Sequence, residues 1–218
     1  MMSAADVVEV LDVLEAADVA VFLDGGWGVD ALIGAQTREH DDLDVHLSLE
    51  DSPRAEALLL AAGFARMDGG REANYVLRDV ADRRVDIHTM TIDATGGGDY
   101  ELADGSTWVW PSRSFSGVGS IAGRRVRCLS PRAQVLGHTG YELSDTDRRD
   151  LTLLRERFGA VLGSTSPSNS LLLGDNDTRD TTADCRTVSR GASDEHSRPP
   201  LISGSERPER PRGPWPWL

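Results

Sequence analysis

Residues 1–163 of this chain predict an α+β domain, a mixed sheet with flanking helices, and residues 164–218 predict a disordered tail. Three observations carry this. Segments with helical period are interspersed with short strand-like runs, two of those runs flank a short Ala81-Asp82-Arg83 turn as a hairpin would, and the composition changes at about Gly163. Before that point apolar residues recur with helix and strand periods, and no unit repeats. After it Ser, Thr, Pro, Arg and Asp dominate, a mixture that buries too little apolar surface to offset the entropy of ordering.

The elements follow in order. Ser3–Ala16 sets Val7, Val8, Leu11 and Leu14 on one helical stripe behind a Ser3 N-cap. Val19–Leu23 is a nearly all-apolar run, the pattern of a buried strand, broken by Asp24-Gly25-Gly26. Trp27–Ile33 returns to helical spacing and stops at Gly34. Asp42–Leu49 alternates as a strand, Ser52–Ala62 is a helix ended by Gly63, and Asn74–Val80 pairs with Arg84–Met90 in the hairpin. Past Gly96-Gly97-Gly98, Thr107–Trp110 and Arg124–Leu129 are strand-like. Ser130-Pro131 starts a helix through about Tyr141, and Ser144-Asp145-Thr146-Asp147 opens a last one that runs to Phe158 before a Gly159 stop.

Composition excludes several functions. The 218 residues carry 36 acids against 23 basic residues, a net charge of −13. Residues 164–218 hold eight acids and seven Arg, so the acidity belongs to the first 163. Such a charge argues against nucleic acid and anionic membranes as partners and suits cationic ligands. Every basic residue is Arg, which rules out a Schiff-base Lys, a P-loop Lys and a Ser–Lys dyad. Cys128 and Cys185 are too few and too far apart for a disulfide framework or a Cys-based zinc site, and a reducing cytoplasm is expected. Met1–Val13 lacks the basic start of a signal peptide, and no apolar run nears the roughly 20 residues of a membrane span.

The chemistry concentrates in two places. One is Asp24-Gly25-Gly26, a short helix, and then His40-Asp41-Asp42-Leu43-Asp44. Strand alternation turns Asp42 and Asp44 to one side and Leu43 and Val45 to the other. Two carboxylates that close on one face repel unless a cation sits between them, and Mg²⁺ shared with substrate phosphates resolves that repulsion. Adjacent glycines let backbone approach a ligand, and the helix after them offers unpaired N–H groups to an anion. The other place is Val85-Asp86-Ile87-His88, where Asp86 and His88 share the face opposite Val85 and Ile87. If that strand neighbours Asp42–Asp44, three carboxylates converge, which suits metal-assisted phosphoryl or nucleotidyl transfer.

Plainer readings stand beside these. An Asp-x-Asp pair is common on exposed strands, and Gly-Gly is often only a turn. His40 reads as a surface or capping residue, His88 as the partner of a buried acid, and Asp24 and Asp41 as solvent-facing or capping residues. Trp27 reads as core. Trp108 and Trp110 share a strand face and can line an acceptor pocket, while Tyr141 and Glu142 suit helix packing as well as ligand contact.

Gly25-Gly26-Trp27-Gly28-Val29-Asp30 followed by Arg38-Glu39-His40-Asp41-Asp42-Leu43-Asp44 resembles the antibiotic nucleotidyltransferases of the polymerase-beta-like superfamily, of the aminoglycoside 2″-adenylyltransferase and lincosamide nucleotidyltransferase types. The resemblance continues through Val85–His88, Gly119-x-Ile121-x-Gly123, Cys128–Pro131, His138-x-Gly140-Tyr141-Glu142 and Asp147–Gly159, and covers about residues 1–162. It implies the mixed-sheet polymerase-beta-like fold. It also implies a metal-binding set of Asp42, Asp44 and Asp86, with Asp86 as base for the attacking hydroxyl. Gly25 and Gly26 would cradle a triphosphate, Arg38 would contact phosphate, and Asp30 would anchor the loop leading to Arg38. The implied reaction moves AMP or another NMP from Mg-NTP, most simply ATP, to a hydroxyl of a small antibiotic. Two other readings stay open: a superfamily member that modifies a protein or RNA, and a non-catalytic nucleotide-binding module. Acceptor, nucleotide preference, metal count and oligomeric state are open as well.

Overall fold

A computed structural model describes residues 1–70, 74–102 and 105–162. The segment 164–218 predicted as a tail lies outside the described residues.

Helix α1 (Ala4–Glu15) opens on a capping box: the Ser3 hydroxyl accepts the Asp6 N–H, and the Asp6 carboxylate accepts the Ser3 N–H. Next come β1 (Phe22–Leu23), α2 (Gly25–Ile33), β2 (Leu43–Ser48), α3 (Ser52–Ala61), β3 (Ala65–Arg66), β4 (Asn74–Arg78) and β5 (Arg84–Ile92). A second hairpin, β6 (Gly98–Glu101) and β7 (Thr107–Trp110), leads through a 3₁₀ turn at Ser114–Ser116 to β8 (Gly117–Ile121) and β9 (Arg124–Cys128). Helices α4 (Pro131–Gly137) and α5 (Asp145–Leu162) complete the order.

The main sheet runs β3-β4-β5-β2-β1-β9-β8 and is mixed, as expected. At its centre β2 and β5 are parallel and in register from Leu43 opposite Val85 to Ser48 opposite Met90, while β1 is antiparallel to β2 and parallel to β9. Leu43, Val45, Leu47, Val85 and Ile87 face one apolar cluster with residues of α1, α2 and α3. Strand alternation turns Met90 the other way, into a smaller cluster with Tyr100, Trp110, Phe115, Leu129 and Ala133. The site is built on that second face.

Several boundaries differ from the sequence expectation. Helix α4 ends at Gly137 instead of reaching Tyr141. The His138 ring Nδ1 bonds the Gln134 carbonyl at 2.7 Å, and the His138 N–H turns to Val135, so the next helical bond is not made. Gly159 does not stop α5, which continues to Leu162; glycine ends a helix only where the chain turns left-handed. Strands β6 and β8 carry Gly, Ser and Asp, which mask their alternation, and pairing with β7 and β9 recruits them.

Candidate active site

The turn from β1 into α2 forms the floor. Gly25 adopts φ +55°, a left-handed value that favours glycine, and a Cβ at this position would overlap the Asp44 Oδ2 of neighbouring β2. Asp44 lies opposite Asp86 in the parallel β2–β5 register, and both are buried. Asp42 stands one residue before β2, half-buried, and Asp41 is exposed as expected.

These carboxylates sense one another. Burial, then repulsion from Asp44, Asp86 and Asp41, pushes Asp42 up to about 8. Burial and Asp44 push Asp86 up to about 7. A cation among them would relieve that repulsion. The donor set fits magnesium. All three candidate donors are hard carboxylate oxygens, and Asp44 Oδ2 lies against the Gly25 backbone at the start of α2, where a Cβ would overlap it. No three His, Cys, Asp or Glu side chains among the described residues close around one point to hold a metal. Magnesium is commonly held by one or two carboxylates with phosphate oxygens completing its shell, so a three-ligand cage is not what such a site requires.

The other wall comes from the segment before β2. A Cβ on Gly26 would run into the Arg38 guanidinium and the His40 ring, so both groups close over the start of α2. Arg38 is held there by Asp150 of α5 at 3.0 Å and donates to the Glu39 carbonyl at 3.1 Å. His40 is buried, not a surface residue: its Nε2 lies 2.6 Å from Asp30 Oδ2, and its ring packs 4.4 Å from that of Trp27. The other Asp30 oxygen accepts the Thr37 N–H and hydroxyl, which anchors the loop leading to Arg38.

Beneath the carboxylates runs a second buried polar layer. Asp24, read from sequence as solvent-facing or capping, is only 3% exposed and makes no side-chain cap bond to α2. It binds His46 Nε2 at 2.8 Å instead. Burial alone would raise the Asp24 carboxyl, but the His46 hydrogen bond and the Gly25 N–H hold it below its ordinary value. Burial pushes His46 down, so a neutral imidazole donates to an ionised Asp24. The His46 ring packs 5.1 Å from that of His88, whose Nε2 lies 3.7 Å from Asp44 Oδ1. Burial would lower His88 too, yet Asp44 and then Asp86 hold it above its ordinary value.

Sequence reasoning missed His46 and Asp150. Two residues after Asp44 on one strand face, His46 was legible from alternation; Asp150 carries no local signal. Trp108 and Trp110 do share a face, with Trp110 buried 5.7 Å from the His46 ring and Trp108 6.1 Å from Trp110. Tyr141 is half-buried; burial, Asp147 and Asp24 raise its hydroxyl above the usual value.

Residues 6–154 match the family model described as aminoglycoside-2″-adenylyltransferase. The chain belongs to that family. A lincosamide resistance protein of Staphylococcus haemolyticus is 31% identical over 146 residues, 67% of this chain and 90% of the relative. A 2″-aminoglycoside nucleotidyltransferase of Escherichia coli is 31% identical over 133 residues, 59% of this chain and 70% of the relative. Among solved structures, the lincomycin-bound lincosamide adenylyltransferase LnuA superposes with a TM-score of 0.64 at 28% identity, covering 72% of this chain and 98% of LnuA. ANT(2″)-Ia in complex with adenylyl-2″-tobramycin gives 0.60 at 23% identity, over 72% of this chain and 90% of the other, and shares the fold. This nucleotidyltransferase thus has the mixed-sheet fold its motifs implied. No helix among its described residues is long and apolar enough to cross a membrane.

Proposed function

We propose that this nucleotidyltransferase transfers an adenylyl group from Mg-ATP to a hydroxyl of an aminoglycoside or lincosamide antibiotic and thereby confers resistance. The observation that carries the reading is the in-register Asp44–Asp86 pair set against Gly25 at the start of α2. Asp42 and Asp44, with Asp86, would hold the divalent ion. Bound there, magnesium would neutralise charge on the triphosphate and the departing pyrophosphate. Gly25 and Gly26 let the triphosphate approach the start of α2, where the Gly26 N–H meets a phosphate oxygen, and Arg38, braced by Asp150, adds positive charge at the same point. Asp86, across the register from Asp44, accepts the proton of the acceptor hydroxyl. The acidity of the first 163 residues favours acceptors that carry amines.

The test is incubation with Mg-ATP and a panel of aminoglycosides and lincosamides, read by mass spectrometry. One compound or class should gain one AMP unit in the wild type and none in Asp44→Asn. No gain on any compound would sink the antibiotic reading. Activity is assigned to residues 1–163, so truncation after Gly163 should retain transfer.

A further inference from the structure

We infer that His88 is a positioning residue for Asp44: its Nε2–H holds Oδ1, which leaves Oδ2 as the oxygen turned toward the metal and triphosphate. The inference rests on the nucleotidyl-transfer reading above and deepens it.

Four observations on the two sides of that contact support it. Asp44 Oδ1 is buried and has no hydrogen-bond partner among the described residues, and the same is true of both nitrogens of His88, which is 1% exposed. The two orphaned atoms lie 3.7 Å apart, about half an ångström beyond a hydrogen bond. Oδ2 is already defined, because it occupies the space a side chain at Gly25 would need, beside the start of α2. The His88 ring is fixed from behind: His46 packs 5.1 Å away and is itself tied to Asp24, and Tyr100 packs 6.4 Å away.

The chemistry needs only a neutral imidazole with its proton on Nε2, which donates one hydrogen bond to a carboxylate. A metal-ligating carboxylate left free to rotate presents either oxygen, and hydrogen bonds from the surrounding shell select the orientation. The chain Asp24–His46–His88–Asp44 also ties the residue that precedes the Gly-Gly helix to the metal-facing carboxylate. The cradle and the ligand are thus set by one buried layer.

Three substitutions separate positioning from packing. His88→Leu fills the space without a donor, His88→Gln carries an amide nitrogen out to where Nε2 lies, and His88→Asn places one short of it, where Nδ1 lies. Binding of Mn²⁺ with α,β-methylene-ATP, which cannot transfer, is measured by electron paramagnetic resonance. Steady-state kinetics on the responding antibiotic and a thermal melt accompany it. His88→Leu and His88→Asn should weaken Mn²⁺ binding and lower kcat by about 10- to 100-fold, with KM for the antibiotic unchanged, and His88→Gln should restore both to within about threefold. His88→Leu or His88→Asn binding Mn²⁺ as the wild type does, or His88→Gln as impaired as His88→Asn, overturns the inference. Should His88→Leu not fold, the comparison of the two amides decides. A wild type that neither binds Mn²⁺-nucleotide nor transfers refutes the functional reading; an active wild type with three indistinguishable variants refutes only the role of His88.

Discussion

Strands β2 and β5 present two faces, and water is kept from both almost equally. On one, Leu43, Val45, Leu47, Val85 and Ile87 are at most 1% exposed; on the other, Asp44, His46, Asp86 and His88 are at most 9% exposed. Burial acts in opposite directions on the two. Each apolar side chain removed from water stabilises the fold by about 1.5–3 kcal/mol. Each carboxylate removed from water is penalised unless it is paired, and Asp86 lies across from Asp44, a like charge that raises the penalty. The apolar face holds the sheet together, and the polar face is carried by that stability. Depth in the molecule therefore does not separate scaffold from site; partner chemistry does.

The largest expected effect breaks the two apart by substitution on the polar face. Asp86→Asn keeps shape and volume while removing the proposed base and one carboxylate. Transfer should fall by about 10²- to 10⁴-fold with an unchanged or higher melting temperature. Leu47→Ala, on the apolar face, should do the reverse. It should lower unfolding stability by about 2–5 kcal/mol in a urea melt and leave kcat/KM near wild type at a temperature where the variant is folded. If Asp86→Asn destabilised as much as Leu47→Ala, or if folded Leu47→Ala lost transfer, the division between the faces would fail.

Much of this division was legible in the sequence, because strand alternation is a local rule. Leu43 against Asp44, and Val85 against Asp86, sort to opposite faces without knowledge of what lies beside them. The parallel register that sets Asp44 beside Asp86 is a property of two segments far apart in the chain, and no single stretch encodes it. The same distance explains the error at Asp24. An aspartate before a glycine-started helix has the local pattern of a cap, and only the neighbouring strand supplies His46 to bury it. Asp150 went unnoticed for a like reason, since its partner Arg38 is 112 residues away. What remained hidden was the polar layer under the carboxylates, where each contact joins two different elements.

The comparison is sharpened most finely by pH, because only the polar face titrates. Asp42 is held at about 8 against an ordinary 3.8, so the folded protein keeps this proton more tightly than the unfolded chain does. The sign follows from that. Stability linked to the proton is complete below about 3.8 and is lost as pH rises through about 8. In Asp42→Asn nothing titrates there, so the loss is absent. Without metal, wild type and variant should melt alike near pH 4, and the variant should become more stable by about 1–3 kcal/mol by pH 9, the size being limited because neighbouring acids share the repulsion. Mg²⁺ with a non-transferable nucleotide should then stabilise the wild type more at pH 8 than at pH 5, because the ion competes with the same proton, and should stabilise the variant much less. A difference between the two proteins that stays constant from pH 4 to pH 9 would mean that Asp42 carries no buried repulsion, and that the polar face is held by the same forces as the apolar one.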